Sequence, residues 1–412
     1  MQLSLKKQMI WNAVGNVIYL ICQWLVVVFV TQMGGFFDAG VLSIAMSVSA
    51  TFQTIALFGI RNFQVSDIRG EYTDTHYVGF RVVTCALALV LCMAFALATR
   101  YWGIQLLAIF LFMIFRLAEN FSDVLHGIAQ KNGRLDIAGK SFAFKGIGTL
   151  IAFYFTFQVS CNLCLSLFFM ALFSIAQTIF FDVLVIRRFS DFSLFAKPSE
   201  YLPMAIKTLP LCAYLFFHSA ISTIPKIILE RLSGEEILGA YSSVFAPALL
   251  ISAAAMYLYQ PFAGTFAAAH RDGNRKAFLL LLFKIVSALA ILSGVMLIAA
   301  HFLGAFALTL IFGDEILEYT YMLTPILFGI IGIAFLSLLE TLAVILRDFV
   351  WLLIGCGLGV ISELIFVSLL IRSCGANGAS FGLIMATVSA SAILFCRIMI
   401  LAGKNERRKE DE

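Results

Sequence analysis

The chain has 412 residues, 61% of them apolar and only 13% charged, with a formal net charge of +4. A soluble domain carries about 25% charged residues, so a soluble enzyme or regulatory module is excluded. The small positive charge gives no reason to invoke nucleic acid, because the cations sit where membrane topology needs them.

A helix needs roughly 20 apolar residues to cross a bilayer. Twelve such runs follow one another: 8–32, 39–60, 78–99, 103–123, 141–159, 164–186, 207–230, 238–262, 278–301, 319–342, 349–371 and 376–401. The connections between them are too short to hold a catalytic domain. The first run is also too long for a cleavable signal peptide. Of 28 lysines and arginines, all but Arg100, Arg231, Arg372 and Lys226 lie in every second gap, or at helix ends bordering it. By the positive-inside rule those gaps are cytoplasmic, and both termini fall among them. A membrane protein with many passes and both termini in the cytoplasm is expected.

The longest basic gap carries Pro198 and Pro203 and reads as a linker. The expected domains are an N-lobe at 1–190, a cytoplasmic linker at 191–206, a C-lobe at 207–403 and a charged cytoplasmic tail at 404–412. A shift of 199 residues lays Gly35 on Gly234, Gly40 on Gly239, Ser43 on Ser242, Ala56 on Ala255 and Phe63 on Phe262 without a gap. Both halves start on the same side, so the repeat is parallel, with its axis along the membrane normal. The expected fold class is therefore an all-α polytopic membrane protein, with twelve transmembrane helices in two pseudo-symmetric six-helix lobes around a central cavity. Glycines at 355, 357 and 359, and at 375, 378 and 382, read as close helix packing.

Polar stripes mark the faces that such a cavity would use. Asn12, Asn16, Tyr19 and Gln23 recur at helical spacing in the first run, and Ser43, Ser47, Thr51 and Thr54 in the second. Tyr214, His218, Ser222 and Lys226 form a third stripe in the seventh run, where the 199 shift pairs His218 with Tyr19 and Ser222 with Gln23. Hydrogen bonding between neighbouring helices is the bland alternative for these residues. A mid-helix lysine costs about 2.5–3.5 kcal/mol on insertion scales. Lys226 should therefore face water, a ligand or a partner, and Glu230, one turn on, is the available partner. Arg81, Arg116, Lys145, Lys284 and Arg397 sit near cytoplasmic helix ends, where snorkelling would satisfy them. Arg61 closes the second run beside the stripe of the first and is set apart as an anion contact. Glu119 and Asp123, with Arg116, read as a structural network. Glu230, Glu340 and Glu363 are candidate ion-coupling carboxylates.

Several chemistries lack their residues. No GxxxxGK[ST] phosphate loop occurs, and the five histidines lie in separate segments without metal-ligand spacing. Cys161 and Cys164 form a single CxxC with no second pair to complete a metal site. No catalytic constellation stands on a long outer loop. No cofactor or metal is expected, and no enzyme.

Three stretches carry a likeness: Trp11-Asn12-Ala13 to Trp24, the turn Gly34-Gly35 followed by Ala39-Gly40, and Phe58-Gly59-Ile60-Arg61 through Asp67. Together they resemble bacterial polysaccharide flippases of the multidrug/oligosaccharidyl-lipid/polysaccharide exporter superfamily, the O-antigen and capsule branch. The likeness is specific over about residues 8–81 and extends elsewhere as layout. It implies that undecaprenyl-diphosphate-linked oligosaccharide is moved across the membrane by ion-gradient-driven alternating access. Arg61 and Lys226 would then meet the diphosphate, while Asn12, Asn16, Tyr19, Gln23, His218 and Ser222 meet sugars. Polysaccharide polymerase and glycosyltransferases of the same pathway would be partners, besides membrane lipids. A multidrug exporter of the same superfamily, a lipid-linked peptidoglycan precursor flippase and a membrane glycosyltransferase or polymerase are the rivals.

Overall fold

A helix of 53 residues, Leu5–Leu57, leaves helical backbone angles at one residue, Gly35 (φ 73°, ψ −174°). At 1.5 Å per residue such a helix is roughly 80 Å long, far beyond a hydrocarbon core of about 30 Å, so it must turn and cross again. Gly35 makes that turn and divides span one from span two. Its conformation is essentially restricted to glycine. Gly34 beside it is needed for space: a Cβ there would lie 2.6 Å from Asp38 Oδ2 and 2.8 Å from the Phe157 ring. The same turn recurs at Gly234 (φ 86°, ψ 171°), between span seven (Tyr201–Ser233) and span eight (Glu235–Tyr259). The two glycines that the 199 shift superposes thus adopt one backbone conformation.

This computed structural model describes residues 4–67, 70–195 and 200–410, and no strand occurs among them. Pro198 of the expected linker and the last two residues of the expected tail lie outside the described residues. The remaining spans are Asp74–Ala98, Gly103–Lys131, Leu135–Ser160 and Leu163–Ile186 (three to six), then Arg275–Phe312, Asp314–Ile345, Phe349–Cys374 and Asn377–Ala402 (nine to twelve). Twelve membrane-length helices match the twelve apolar runs. Three departures matter. Span four reaches Lys131 rather than 123. Span ten opens as a 3₁₀ turn, Asp314–Met322. Span six contains a π-helical turn, Thr178–Val183.

The chain divides into two compact units, 1–219 and 220–412, with the boundary inside span seven. In the first, spans one and five meet backbone to backbone. A Cβ on Gly15 would lie 1.9 Å from the Gly139 carbonyl oxygen, and one on Gly139 2.2 Å from that of Trp11. At the basic end Phe58, Tyr77, Phe80, Val124, Ile128 and Ile186 pack with Met204 and Cys212 from the start of span seven. Polar contacts hold the residues leading into that span. Ser190 Oγ donates to Asp74 Oδ2 (2.5 Å), His76 Nε2 meets Glu200 Oε2 (2.5 Å) and Lys207 Nζ meets Glu71 Oε2 (2.7 Å).

In the second unit, glycines draw spans eleven and twelve together, and Gly332, which the sequence reading did not single out, brings span ten against span twelve. A Cβ on Gly378 would meet the Leu370 backbone at 2.2 Å, and one on Gly332 would meet Thr387 Oγ1 at 2.4 Å. Span nine is different. Its buried residues (Phe278, Leu282, Ile285, Leu289, Leu308 and Phe312) lie toward its two ends. Its middle borders two apolar hollows of about 370 and 300 Å³, with Met296 common to both.

Candidate functional site

Span four organises the first unit. Within Gly103–Lys131, Arg116, Glu119, Asn120, Ser122, Asp123, His126 and Gln130 recur at helical spacing and fall on one broad arc. One edge of the arc faces span two: Gln53 Nε2 donates to Asn120 Oδ1 (3.0 Å). Its centre holds Asp123, which accepts from Arg61 Nη1 (2.8 Å) and from Arg81 Nη2 (3.0 Å). Arg81 is fully buried and also donates to the Ala56 carbonyl (2.8 Å), at the end of span two. The other edge faces spans five and six, where Ser122 Oγ donates to Asp182 Oδ2 (2.6 Å) and Lys145 Nζ donates to Ser122 Oγ (2.6 Å) and Thr178 Oγ1 (3.0 Å).

Three expectations are corrected here. Arg81 and Lys145 do not snorkel: they are 0% and 2% exposed and are satisfied inside the protein. Arg116 likewise turns inward, pairing with Glu119 Oε2 at 2.7 Å with its guanidinium over the Phe112 ring. The reason is geometric. Each lies near the end of an apolar run, but a carboxylate or hydroxyl within the protein, on the same helix for Arg116 and on a facing helix for Arg81 and Lys145, stands within hydrogen-bond distance.

The stripe of span one is only partly collected. Asn16 Nδ2 donates to the Asn12 carbonyl (2.8 Å), so these two serve their own helix. Tyr19 donates to Glu119 and accepts from Arg116 (3.2 Å), which joins it to the span-four arc. Gln23 has a buried Nε2 with no hydrogen-bond partner among the described residues. In span two, Thr51 Oγ1 lies 3.3 Å from Ser219 Oγ of span seven. His218 and Ser222 are half-buried.

In the second unit Lys226 does not pair with Glu230, correcting that alternative. Its Nζ lies 4.5 Å from the centroid of the Phe245 ring, and Glu230 meets Arg231 at 3.4 Å. Cys356 Sγ donates to Glu340 Oε1 (3.2 Å). Glu363 is wholly buried, and neither of its oxygens has a hydrogen-bond partner among the described residues. Sequence reasoning missed Asp182, His126, Asn120 and Gln53. A lone aspartate within the apolar run of span six, with a lone lysine in the apolar run 141–159 of span five, was the available signal. No group of three or more His, Cys, Asp or Glu residues fit to hold a metal occurs among the described residues.

No family model matches the chain. Over 322 residues it is 25% identical to the capsular polysaccharide biosynthesis protein CapF of Staphylococcus aureus, covering 78% of this chain and 80% of that one. Its structure is similar to that of the lipid II flippase MurJ in an inward closed conformation (TM-score 0.74, 12% identity, 94% of this chain and 87% of the other). It is also similar to an inward-facing multidrug resistance MATE family transporter of the MOP superfamily (TM-score 0.67, 13% identity, 99% and 96%). The fold is the one these solved transporters share. The structural likeness covers nearly the whole chain, and the likeness to a capsular polysaccharide biosynthesis protein covers 78% of it. In this fold the span-four arc is an intramembrane polar core of the first unit, and Lys226 is an intramembrane cation of the second.

Proposed function

We propose that this membrane protein moves undecaprenyl-diphosphate-linked oligosaccharide across the bacterial cytoplasmic membrane by ion-gradient-driven alternating access. The observation that carries the reading is Lys226, an intramembrane ammonium with no carboxylate partner among the described residues. Such a cation needs an anion or water, and the diphosphate of a lipid-linked sugar supplies one. A sugar head is too polar to cross hydrocarbon unaided, whereas its lipid tail can stay in the bilayer. Arg61, 26% exposed at the side chain, is the second diphosphate contact. Asn12, Asn16, Tyr19, Gln23, His218 and Ser222 are the proposed sugar contacts, while Glu230, Glu340 and Glu363 are the proposed coupling carboxylates. The relationship to a capsular polysaccharide biosynthesis protein and the fold shared with a lipid II flippase support this substrate class.

The test is a cell lacking this chain, complemented with wild type or Lys226→Ala at equal membrane abundance. Lipid-linked repeat units should accumulate on the cytoplasmic leaflet without the protein and with the variant. Normal surface glycan in both cases would sink the proposal.

One observation favours a second reading. The unpartnered Glu363 is the acidic centre that a cationic-drug exporter would use. Energised cells should then extrude cationic dye, and Glu363→Gln should stop it; dye handling identical with and without the protein removes that reading.

A further inference from the structure

The carboxylate of Asp182 is held between two cationic or cationisable groups, only one of which completes its contacts. Its Oδ2 accepts from Ser122 and lies 3.8 Å from Lys145 Nζ. Its Oδ1 has no hydrogen bond among the described residues and lies 3.5 Å from His126 Nε2, beyond the usual 2.7–3.2 Å. His126 is 1% exposed, and neither ring nitrogen has a hydrogen-bond partner among the described residues. The Phe142 ring, at 5.0 Å, covers the imidazole. Asp182 lies on the π-helical turn of span six, and π turns inserted in helices recur at functional sites.

The place where a bound sodium ion would sit is already taken. Lys145 Nζ occupies the hydroxyl and carboxylate cradle of Ser122, Thr178 and Asp182 as a tethered cation. What the cluster can still accept is a proton. We propose that His126 and Asp182, with Lys145 as fixed counter-cation, form a proton-exchange site of the first unit, in addition to the coupling carboxylates proposed above, so that the coupled ion is H⁺ rather than Na⁺.

In the step, the proton adds to Nε2 of His126, and the new N–H donates to Asp182 Oδ1. Release breaks the same N–H bond. Histidine is the side chain suited to this exchange near neutral pH. The other ionisable groups facing the cluster are Glu119 and Arg116 of span four and Tyr19 of span one, and those are mutually paired. The proposal rests on the transport reading only for its coupling arm.

The test uses full-length protein in lipid nanodiscs with ring-labelled histidine, the His126 resonance being assigned through His126→Gln. Across the pH range in which the protein stays folded, its ring signals should pass from neutral to doubly protonated on acidification, equally in sodium and potassium buffer. In Asp182→Asn the ring should stay neutral over that range. Should that variant not fold, the double variant Lys145→Met, Asp182→Asn removes both charges and is read in its place. A ring that stays neutral in wild type, that titrates unchanged in the Asp182 variant, or that responds to sodium overturns the proposal. In proteoliposomes, a pH gradient should drive movement of a lipid-linked sugar, reduced about tenfold by Asp182→Asn. A sodium gradient should drive none. Loss on Glu363→Gln with Asp182→Asn unaffected would assign coupling elsewhere. If no lipid-linked sugar moves at all, the transport reading fails and the nanodisc result still stands.

Discussion

Asp123 shows how much can turn on one carboxylate. Two arginines share it, yet they differ in kind: Arg81 is sealed in the interior, whereas Arg61 keeps contact with solvent. Removing one partner of a buried pair costs about 3–5 kcal/mol, and a partly exposed pair contributes about 1 kcal/mol or less. Arg81→Ala should therefore lower the yield and melting temperature of the purified protein sharply, with Arg61→Ala close to wild type. Per folded molecule, Arg61→Ala should be the more damaging to export; equal specific activities would deprive Arg61 of its role.

Asp67, in the loop before span three, yields a pH prediction. Partial burial pushes its carboxyl up, but the backbone N–H groups of Glu71 and Tyr72, the Tyr77 hydroxyl and Lys131 outweigh this and hold it below the usual carboxylate range. A depressed carboxylate stabilises above its unfolded value of about 4, and that contribution disappears as pH falls through the lower folded value. Amide protection at Glu71 and Tyr72, corrected for intrinsic exchange, should be steady near neutrality and fall below about pH 4. In Asp67→Asn it should be low throughout; protection that is flat in wild type sinks the idea. None of these partners can be read from the linear sequence. It shows how far a cation lies along a helix and leaves open which way it points, which is why Arg81 and Lys145 look like end residues until the facing helix is known.

At the scale of elements, the spans were legible because each apolar run must be long enough to cross hydrocarbon, and length is a property of sequence. Their irregularities were not. The π turn in span six and the 3₁₀ start of span ten depend on contacts between helices. The turn glycines fall between these cases, since the repeat pointed to them and the backbone explains them. Gly35→Ala and Gly234→Ala should each cost roughly 1–3 kcal/mol from backbone conformation alone, as no atom lies within 4 Å of either added methyl. Gly294→Ala, in the helical and equally open middle of span nine, should instead gain about 0.5–1 kcal/mol. Thermal melting of the three variants checks this, and losses of equal size at all three positions would contradict it.

For the whole molecule, the alternation of basic gaps makes an orientation testable with the chain's own thiols. Cys161 and Cys374 are exposed, in gaps poor in lysine and arginine at the end of the spans opposite the basic loops. A membrane-impermeant maleimide should label both in intact cells, and the Cys161→Ser, Cys374→Ser double variant should lose that labelling. Labelling that needs opened cells would reverse the orientation. The polar core was harder to foresee than this layout, because it joins His126 and Asp182, which lie in different apolar runs and share no motif.

Span nine is anchored at its ends and slack between them, and the hollows beside it are walled almost wholly by hydrocarbon. In a bilayer, acyl chains complete that packing. A detergent that strips them leaves the span unsupported over much of its length, so the robustness of the purified protein depends on how much phospholipid comes with it. Larger side chains at Ala299 or Ala300, which line one hollow, would make the protein less dependent on its lipid coat.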